Sequence, residues 1–249
     1  MASSDIAVGP HAVEAVVRYH PRSVVRVLYN QKRHDRRMEQ LLRLARNQGV
    51  EAVGCSADEL TERCGHEQHQ SIIAEHNASV ERDEHSLITD LKSKEGPLLI
   101  LVLDGIQDPH NLGACLRTAD ASGADAVVAP KKNAVGITPV VTKVAAGATA
   151  SVPFYQVTNL SRTLGQLRSM DIWVYGAAGE ATDALYQKDL SGSVALVLGA
   201  EGGGLRDGTR KACDELYSIP MAGQVSSLNV SVAAGVSLFE ACRQRLTVT

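Results

Sequence analysis

Residues 98–129 read LLILVLDGIQDPHNLGACLRTADASGADAVVA. The stretch opens on an apolar run, Leu98–Leu103, and closes on a second, Ala126–Ala129. Neither run alternates with polar residues, so both faces of each strand are expected to be buried. Between them, residues near 111–122 space their apolar side chains as a helix does. Strand, helix and strand in that order form the repeating unit of a parallel sheet. The unit recurs downstream. Candidate strands are Val152–Tyr155, Ile172–Tyr175, Val194–Leu198 and Leu216–Ile219, and candidate helices lie near 139–146, 159–170, 206–213 and 228–246. Residues 96–249 are therefore expected to fold as an α/β domain around a mostly parallel sheet.

Upstream of Gly96 the texture changes. Residues 74–95 (AEHNASVERDEHSLITDLKSKE) are polar, dense in charge, and read as a linker. Residues 1–73 form a smaller α/β unit. In it His11–Tyr19 has helical spacing and Val24–Tyr29 is strand-like. Met38–Asn47 returns to helix with Gly49 as its stop, and a short apolar stretch, Val50–Val53, follows. The expected division is 1–73, 74–95 and 96–249.

With 44% hydrophobic and 21% charged residues, the chain is an ordinary globular one and not a disordered one. Its longest apolar run, Pro97–Leu103, falls far short of the ~18 residues that a membrane helix needs. The opening MASSDIAVGP has no basic stretch followed by an apolar one, and the five cysteines are scattered without a CxxC pair. A cytoplasmic location with reduced thiols and no membrane association is expected. The net charge of −3 hides a polarity. Residues 18–46 carry nine Lys/Arg against Asp35 and Glu39, a balance of +7, whereas residues 47–95 balance at −7. Such a block is either a solvated helix face or the footprint of a polyanion binder, with Arg33, Arg36 and Arg37 as candidate phosphate contacts. Nine aromatic residues offer no stacking platform, which favours folded RNA read by charge and shape over single strands.

In a parallel sheet, ligands bind beyond the carboxyl ends of strands. Three such segments are unusual: DPHNLGACLRTAD (Asp108–Asp120), LGAEGGGL (Leu198–Leu205) and IPMAGQVSSLNVSVAAG (Ile219–Gly235). Singly they are ambiguous. The glycine run lacks the spacing of a dinucleotide or phosphate loop. Asn111 reads equally as a helix cap, Arg117 as a solvated helix position and Glu201 as a turn residue.

Taken together and in order, the three segments resemble the motifs of the SpoU (TrmH) family of RNA ribose 2′-O-methyltransferases, in the SPOUT superfamily. The likeness spans residues 98–245. Gly9-Pro10-His11-Ala12-Val13 and His69-Gln70 resemble landmarks of the RNA-binding domain in the branch that methylates a guanosine of bacterial 23S ribosomal RNA. That branch usually reads His-Gln-Gly, and Ser71 stands here in place of the glycine. The resemblance implies a C-terminal SPOUT α/β domain with a deep trefoil knot, plus a small N-terminal α/β RNA-binding domain. It also implies S-adenosyl-L-methionine as cofactor, 23S ribosomal RNA or a ribosome assembly intermediate as partner, and a homodimer.

The resemblance implies catalytic roles for Asn111, Arg117, Glu201, Ser227 and Asn229. It implies a cofactor pocket built largely from backbone around Ala177, Gly199, Ile219, Met221 and Leu228. A ribose 2′-hydroxyl is a poor nucleophile while protonated, so the protein must align donor and acceptor and favour the developing alkoxide. A guanidinium is a poor base at neutral pH. Arg117 is therefore read as phosphate clamp and alkoxide stabiliser, with the general-base role open. No metal is expected: Cys64-x-His66-x-x-His69 offers three ligands but no fourth at a convincing spacing. His110 is read as packing beside the motif and Trp173 as core. Two alternatives stay open, a transfer-RNA ribose 2′-O-methyltransferase of the same family and a non-catalytic ribosome-assembly factor that binds RNA.

Overall fold

The computed structural model describes residues 4–19, 21–33, 35–77, 82–200 and 202–246. They divide into two compact units, Met1–Val80 with Thr142–Ser151, and Glu81–Val141 with Val152–Thr249.

The first unit holds a mixed sheet of β1 (Ser4–Val8), β2 (Val24–Asn30), β3 (Ala52–Cys55) and β4 (Ile72–Asn77), in the order β1-β4-β2-β3. β2 and β3 run parallel, and β4 is antiparallel to both β1 and β2. Helices α1 (Pro10–Tyr19) and α2 (Arg36–Asn47) pack together over one face. The apolar stripe of α2, Met38, Leu41 and Ala45, meets Val13, Val16 and Val17 of α1 in a core shared with Val27, Ile72 and Ala74. Asp35 caps α2 by accepting from the Met38 amide at 2.9 Å, and Gly49, at φ +70, follows its C-terminus. On the other face α3 (Ala57–Cys64) buries Leu60 against Leu28 and Ile73.

The second unit is built on α4 (Glu84–Lys92), β5 (Leu99–Asp104), α5 (Pro109–Ala121), β6 (Ala126–Pro130), β7 (Phe154–Val157), α8 (Leu160–Arg168), β8 (Trp173–Ala177), β9 (Val194–Gly199), α9 (Asp207–Ala212), β10 (Glu215–Tyr217) and α10 (Val230–Leu246). Its six strands lie in the order β10-β8-β9-β5-β6-β7, and every pair is parallel. One face carries Ile100 and Val102 of β5 in a core with Leu87 and Leu91 of α4 and Leu160, Leu164 and Leu167 of α8. On the other face α10 packs on β5, β9 and α5. Burial on both faces is why these strands read as unbroken apolar runs. In sequence, α6 (Pro139–Ala145) and α7 (Ala148–Ser151) interrupt the unit, and Ala150 packs on the core of the first.

Three expectations differ from this picture. The stretch read as a linker finishes β4 and then forms α4, whose buried residues are Leu87 and Leu91, one turn apart, with Ile88 partly buried beside them. The segment from Thr142 to Ser151 groups with the first unit and not with the domain that surrounds it in sequence. Trp173 is 48% exposed rather than core: it is the first residue of β8, and the strand is buried on both faces only from Val174 and Tyr175 onward. Its ring lies 6.3 Å from that of Tyr175, two residues on and on the same face.

Candidate functional site

Parallel strands bring their carboxyl ends to one edge of the sheet. Asp104 of β5 pairs in register with Gly199 of β9, and Tyr217 of β10 with Ala177 of β8. The chain leaving β9 turns back at once: the Gly204 amide donates to Ala200 O at 2.9 Å. Here Gly199 is required by packing, not by backbone angle. A Cβ on it would stand 2.1 Å from the carbonyl of Gly204 and 2.5 Å from the amide nitrogen of Leu205. The left-handed positions of the loop are Gly202 (φ +74) and Gly204 (φ +62), where other residues would be strained. Gly203, between them, has no positive φ. Glu201 lies outside the described residues.

The five residues expected around the cofactor, Ala177, Gly199, Ile219, Met221 and Leu228, are all part-buried. Ala177 ends its strand beside the Ala178 amide, which donates to Tyr217 O at 2.9 Å. Residues 219–229 then run irregularly into α10, so Ile219 and Met221 follow directly from the strand next to Ala177. A neighbouring depression lined by Glu180, Asp183, Lys188, Arg210 and Glu215 is different in kind. Its Lys188 ammonium donates to both Asp183 and Glu215 at 2.6 Å, so the charges there satisfy one another.

Two of the expected catalytic residues meet across 118 positions of sequence. Asn229 Nδ2 donates to Asn111 Oδ1 at 2.9 Å. Asn229 Oδ1 is occupied by the Ser231 amide (2.9 Å) and hydroxyl (2.6 Å), which fixes the amide's orientation. The contact joins the first turns of α5 and α10. These helices run side by side in the same direction, since the Cys242 thiol donates to Ser122 O at 3.2 Å near their far ends. Asp108, not Asn111, caps α5, by accepting from the His110 amide at 2.8 Å, and Asn111 is left to point inward. Arg117 stands about 9 Å further along α5 and about a third of a turn round from Asn111, exposed to solvent. Ser227 and His110 are also exposed, so packing does not account for His110.

One residue of this edge was missed. Asp104 is buried and accepts from Arg206 through both backbone and side chain. An acid closing a wholly apolar strand was the available signal.

In the first unit, α2 carries Arg36, Arg37, Arg43 and Arg46, all exposed. Arg33 is more committed. Its Nε donates to Asp35 at 2.5 Å and its Nη1 to Gln70 O at 2.6 Å. Arg37 Nη2 lies 2.8 Å from His11 Nε2. Gln70 (φ +49) and Ser71 (φ +65) are consecutive left-handed residues, beside a buried His69 that accepts from the Ser71 amide through Nδ1 at 3.1 Å. Its Nε2 contacts Thr61 Oγ1 at 3.2 Å, and the Cys64 thiol donates to His66 O at 3.1 Å. No group of three His, Cys, Asp or Glu among the described residues could hold a metal ion. All five cysteines are free. No helix of the described residues is long and apolar enough to cross a membrane.

Residues 98–239 match the model of the SpoU rRNA Methylase family, and residues 6–80 match that of the RNA 2′-O ribose methyltransferase substrate-binding domain. The chain belongs to the SpoU rRNA methylase family. Within that family it is 49% identical over 249 residues to the 23S rRNA (guanosine-2′-O-)-methyltransferase RlmB of Ralstonia nicotianae, covering 100% of this chain and 99% of the relative. It is also 49% identical over 245 residues to the RlmB of Shewanella oneidensis, with 98% and 99% covered. The SpoU methyltransferase AviRb of Streptomyces viridochromogenes, solved in complex with the cofactor AdoMet, superposes with a TM-score of 0.80 at 24% identity. That alignment covers 99% of this chain and 92% of AviRb, which establishes the α/β fold with its parallel sheet.

Proposed function

We propose that this SpoU-family protein transfers a methyl group from S-adenosyl-L-methionine to the ribose 2′-hydroxyl of a guanosine in 23S ribosomal RNA. The observation that carries the reading is the Asn229–Asn111 hydrogen bond, which ties the first motif to the third. The full-length relatives named as 23S rRNA guanosine-2′-O-methyltransferases support the substrate. When bound, the cofactor supplies an electrophilic methyl group. Ala177, Gly199, Ile219, Met221 and Leu228 hold it, the first two at strand ends and the others along the segment after β10. Asn229 and Asn111 tie the start of α10 to the first turn of α5, and Ser227 and Glu201 complete the set of catalytic candidates. Arg117 acts as an exposed cation that clamps RNA phosphate and favours the alkoxide.

In the same reading residues 6–80 bind RNA, with the basic face of α2 holding phosphates, and the protein works in the cytoplasm as a homodimer. Val232, Phe239 and Leu246 support the dimer: spaced seven apart on α10, they are 51%, 50% and 79% exposed and form one apolar stripe. The trefoil knot implied by the family resemblance belongs to this reading too.

The test is transfer of labelled methyl from S-adenosylmethionine to protein-free 23S RNA and to transfer RNA. Label in the ribose of a 23S guanosine, lost in Arg117→Ala while cofactor affinity persists, is the expected result. Label in transfer RNA alone favours the alternative within the family, and no cofactor binding at all favours a non-catalytic assembly factor.

A further inference from the structure

Asp104 closes β5, a strand otherwise apolar throughout, and its side chain is wholly buried. Its Oδ2 accepts from the Arg206 amide at 2.9 Å, its Oδ1 from Arg206 Nε at 2.6 Å, and Arg206 Nη2 closes on the same Oδ1. A buried carboxylate gripped by an arginine fork and a backbone N–H is a strong, directional contact. Losing the guanidinium leaves the buried carboxylate with only the backbone amide to meet it, whereas the half-exposed guanidinium can turn to water.

The placement gives this contact a purpose. Asp104 lies in register beside Gly199, where the glycine loop leaves β9, and Arg206 is the residue at which that loop ends. The near end of the loop is fixed by the close passage of Gly204 over Gly199. Among the described residues, its own backbone bonds, from the Gly203 and Gly204 amides, converge on the single carbonyl of Ala200 at 3.3 and 2.9 Å. Gly202, Gly203 and Gly204 are exposed. The three exposed glycines contribute no side-chain packing, so the far end is held by Leu205, buried in the core, and by the contact that Arg206 makes just beyond it.

We propose that Asp104 and Arg206 are positioning residues, a latch from β5 that works with buried Leu205 to hold residues 202–205 of the loop in the shape that receives the methyl donor. This rests on the reading that the donor binds at that loop. A loop ordered in advance does not draw its ordering entropy from the binding energy, so opening the latch weakens affinity without removing any contacting group.

Calorimetric titration of the full chain with S-adenosylmethionine, paired with amide hydrogen exchange, tests the latch. Asp104→Asn keeps the shape but loses charge. Arg206→Ala removes the fork from its exposed side, and Arg206→Lys keeps the charge without the fork. All three should unfold cooperatively, exchange faster at residues 202–205 than wild type, and leave β5 protection unchanged. Donor affinity should fall tenfold or more in Asp104→Asn and Arg206→Ala and by less in Arg206→Lys, with RNA affinity unmoved. Wild-type exchange and affinity in a folded Arg206→Ala protein would overturn the latch alone. A wild-type protein that binds no donor would overturn the underlying reading and the latch with it.

Discussion

Ser71 sits at φ +65, directly after Gln70 at φ +49, where the related branch usually has glycine. A non-glycine residue in that region carries about 1–2 kcal/mol of steric strain. Glycine would forfeit part of the gain through the greater freedom of its unfolded chain, about 0.5–1 kcal/mol. Ser71→Gly should therefore stabilise the protein by roughly 0.5–1 kcal/mol, read as a higher urea midpoint with unchanged slope. The bond from its amide to His69 Nδ1 uses only backbone, so it survives the change. A lower midpoint would mean that the serine hydroxyl contributes something its backbone does not. At this scale the sequence was informative about which residues matter and silent about their partners. The motifs singled out Asn111 and Asn229, but a bond across 118 positions is a product of tertiary packing. Gly199 was singled out for a place in the cofactor pocket, and the close passage of Gly204 is what leaves it no room for a side chain.

Among the elements, α2 has the clearest division of labour. Its buried stripe of Met38, Leu41 and Ala45 leaves Arg36 and Arg43, seven apart, and Arg46, three further on, on one exposed side. Arg33 already donates to Asp35 and to Gln70 O, so reversing it would disturb the fold along with any RNA contact. Reversing Arg36, Arg43 and Arg46 to Glu should weaken RNA binding and flatten its salt dependence. Each lost phosphate contact takes ~0.9 from the log–log slope on duplex. Donor affinity and thermal stability should hold. An unchanged slope would make this face a solvated surface and nothing more. Elements with continuous apolar runs were legible in the sequence to within one or two residues. Those missed were short or mostly polar. α3 is announced by a reciprocal capping box between Ser56 and Glu59, a signal available in the sequence and not used. α4 hides one buried pair of leucines inside a charged segment.

For the whole molecule, two units have separate cores: a mixed sheet carrying the basic helix, and a six-stranded parallel sheet with the three motifs after its strands. Strand and helix alternation made the parallel sheet legible. The strand order β10-β8-β9-β5-β6-β7 was not, because it depends on which strands come to neighbour one another and not on the texture of any one of them. The grouping of Thr142–Ser151 with the first unit was equally out of reach of local pattern. The central claim is ribose methylation of one guanosine in 23S ribosomal RNA. It is tested most directly by mass-spectrometric mapping of ribose methylation in ribosomal RNA from cells with the gene, without it, and carrying Arg117→Ala. The account predicts one 2′-O-methylguanosine in 23S RNA that disappears with the gene and does not return with the Arg117→Ala protein. An identical methylation map in all three strains would contradict it.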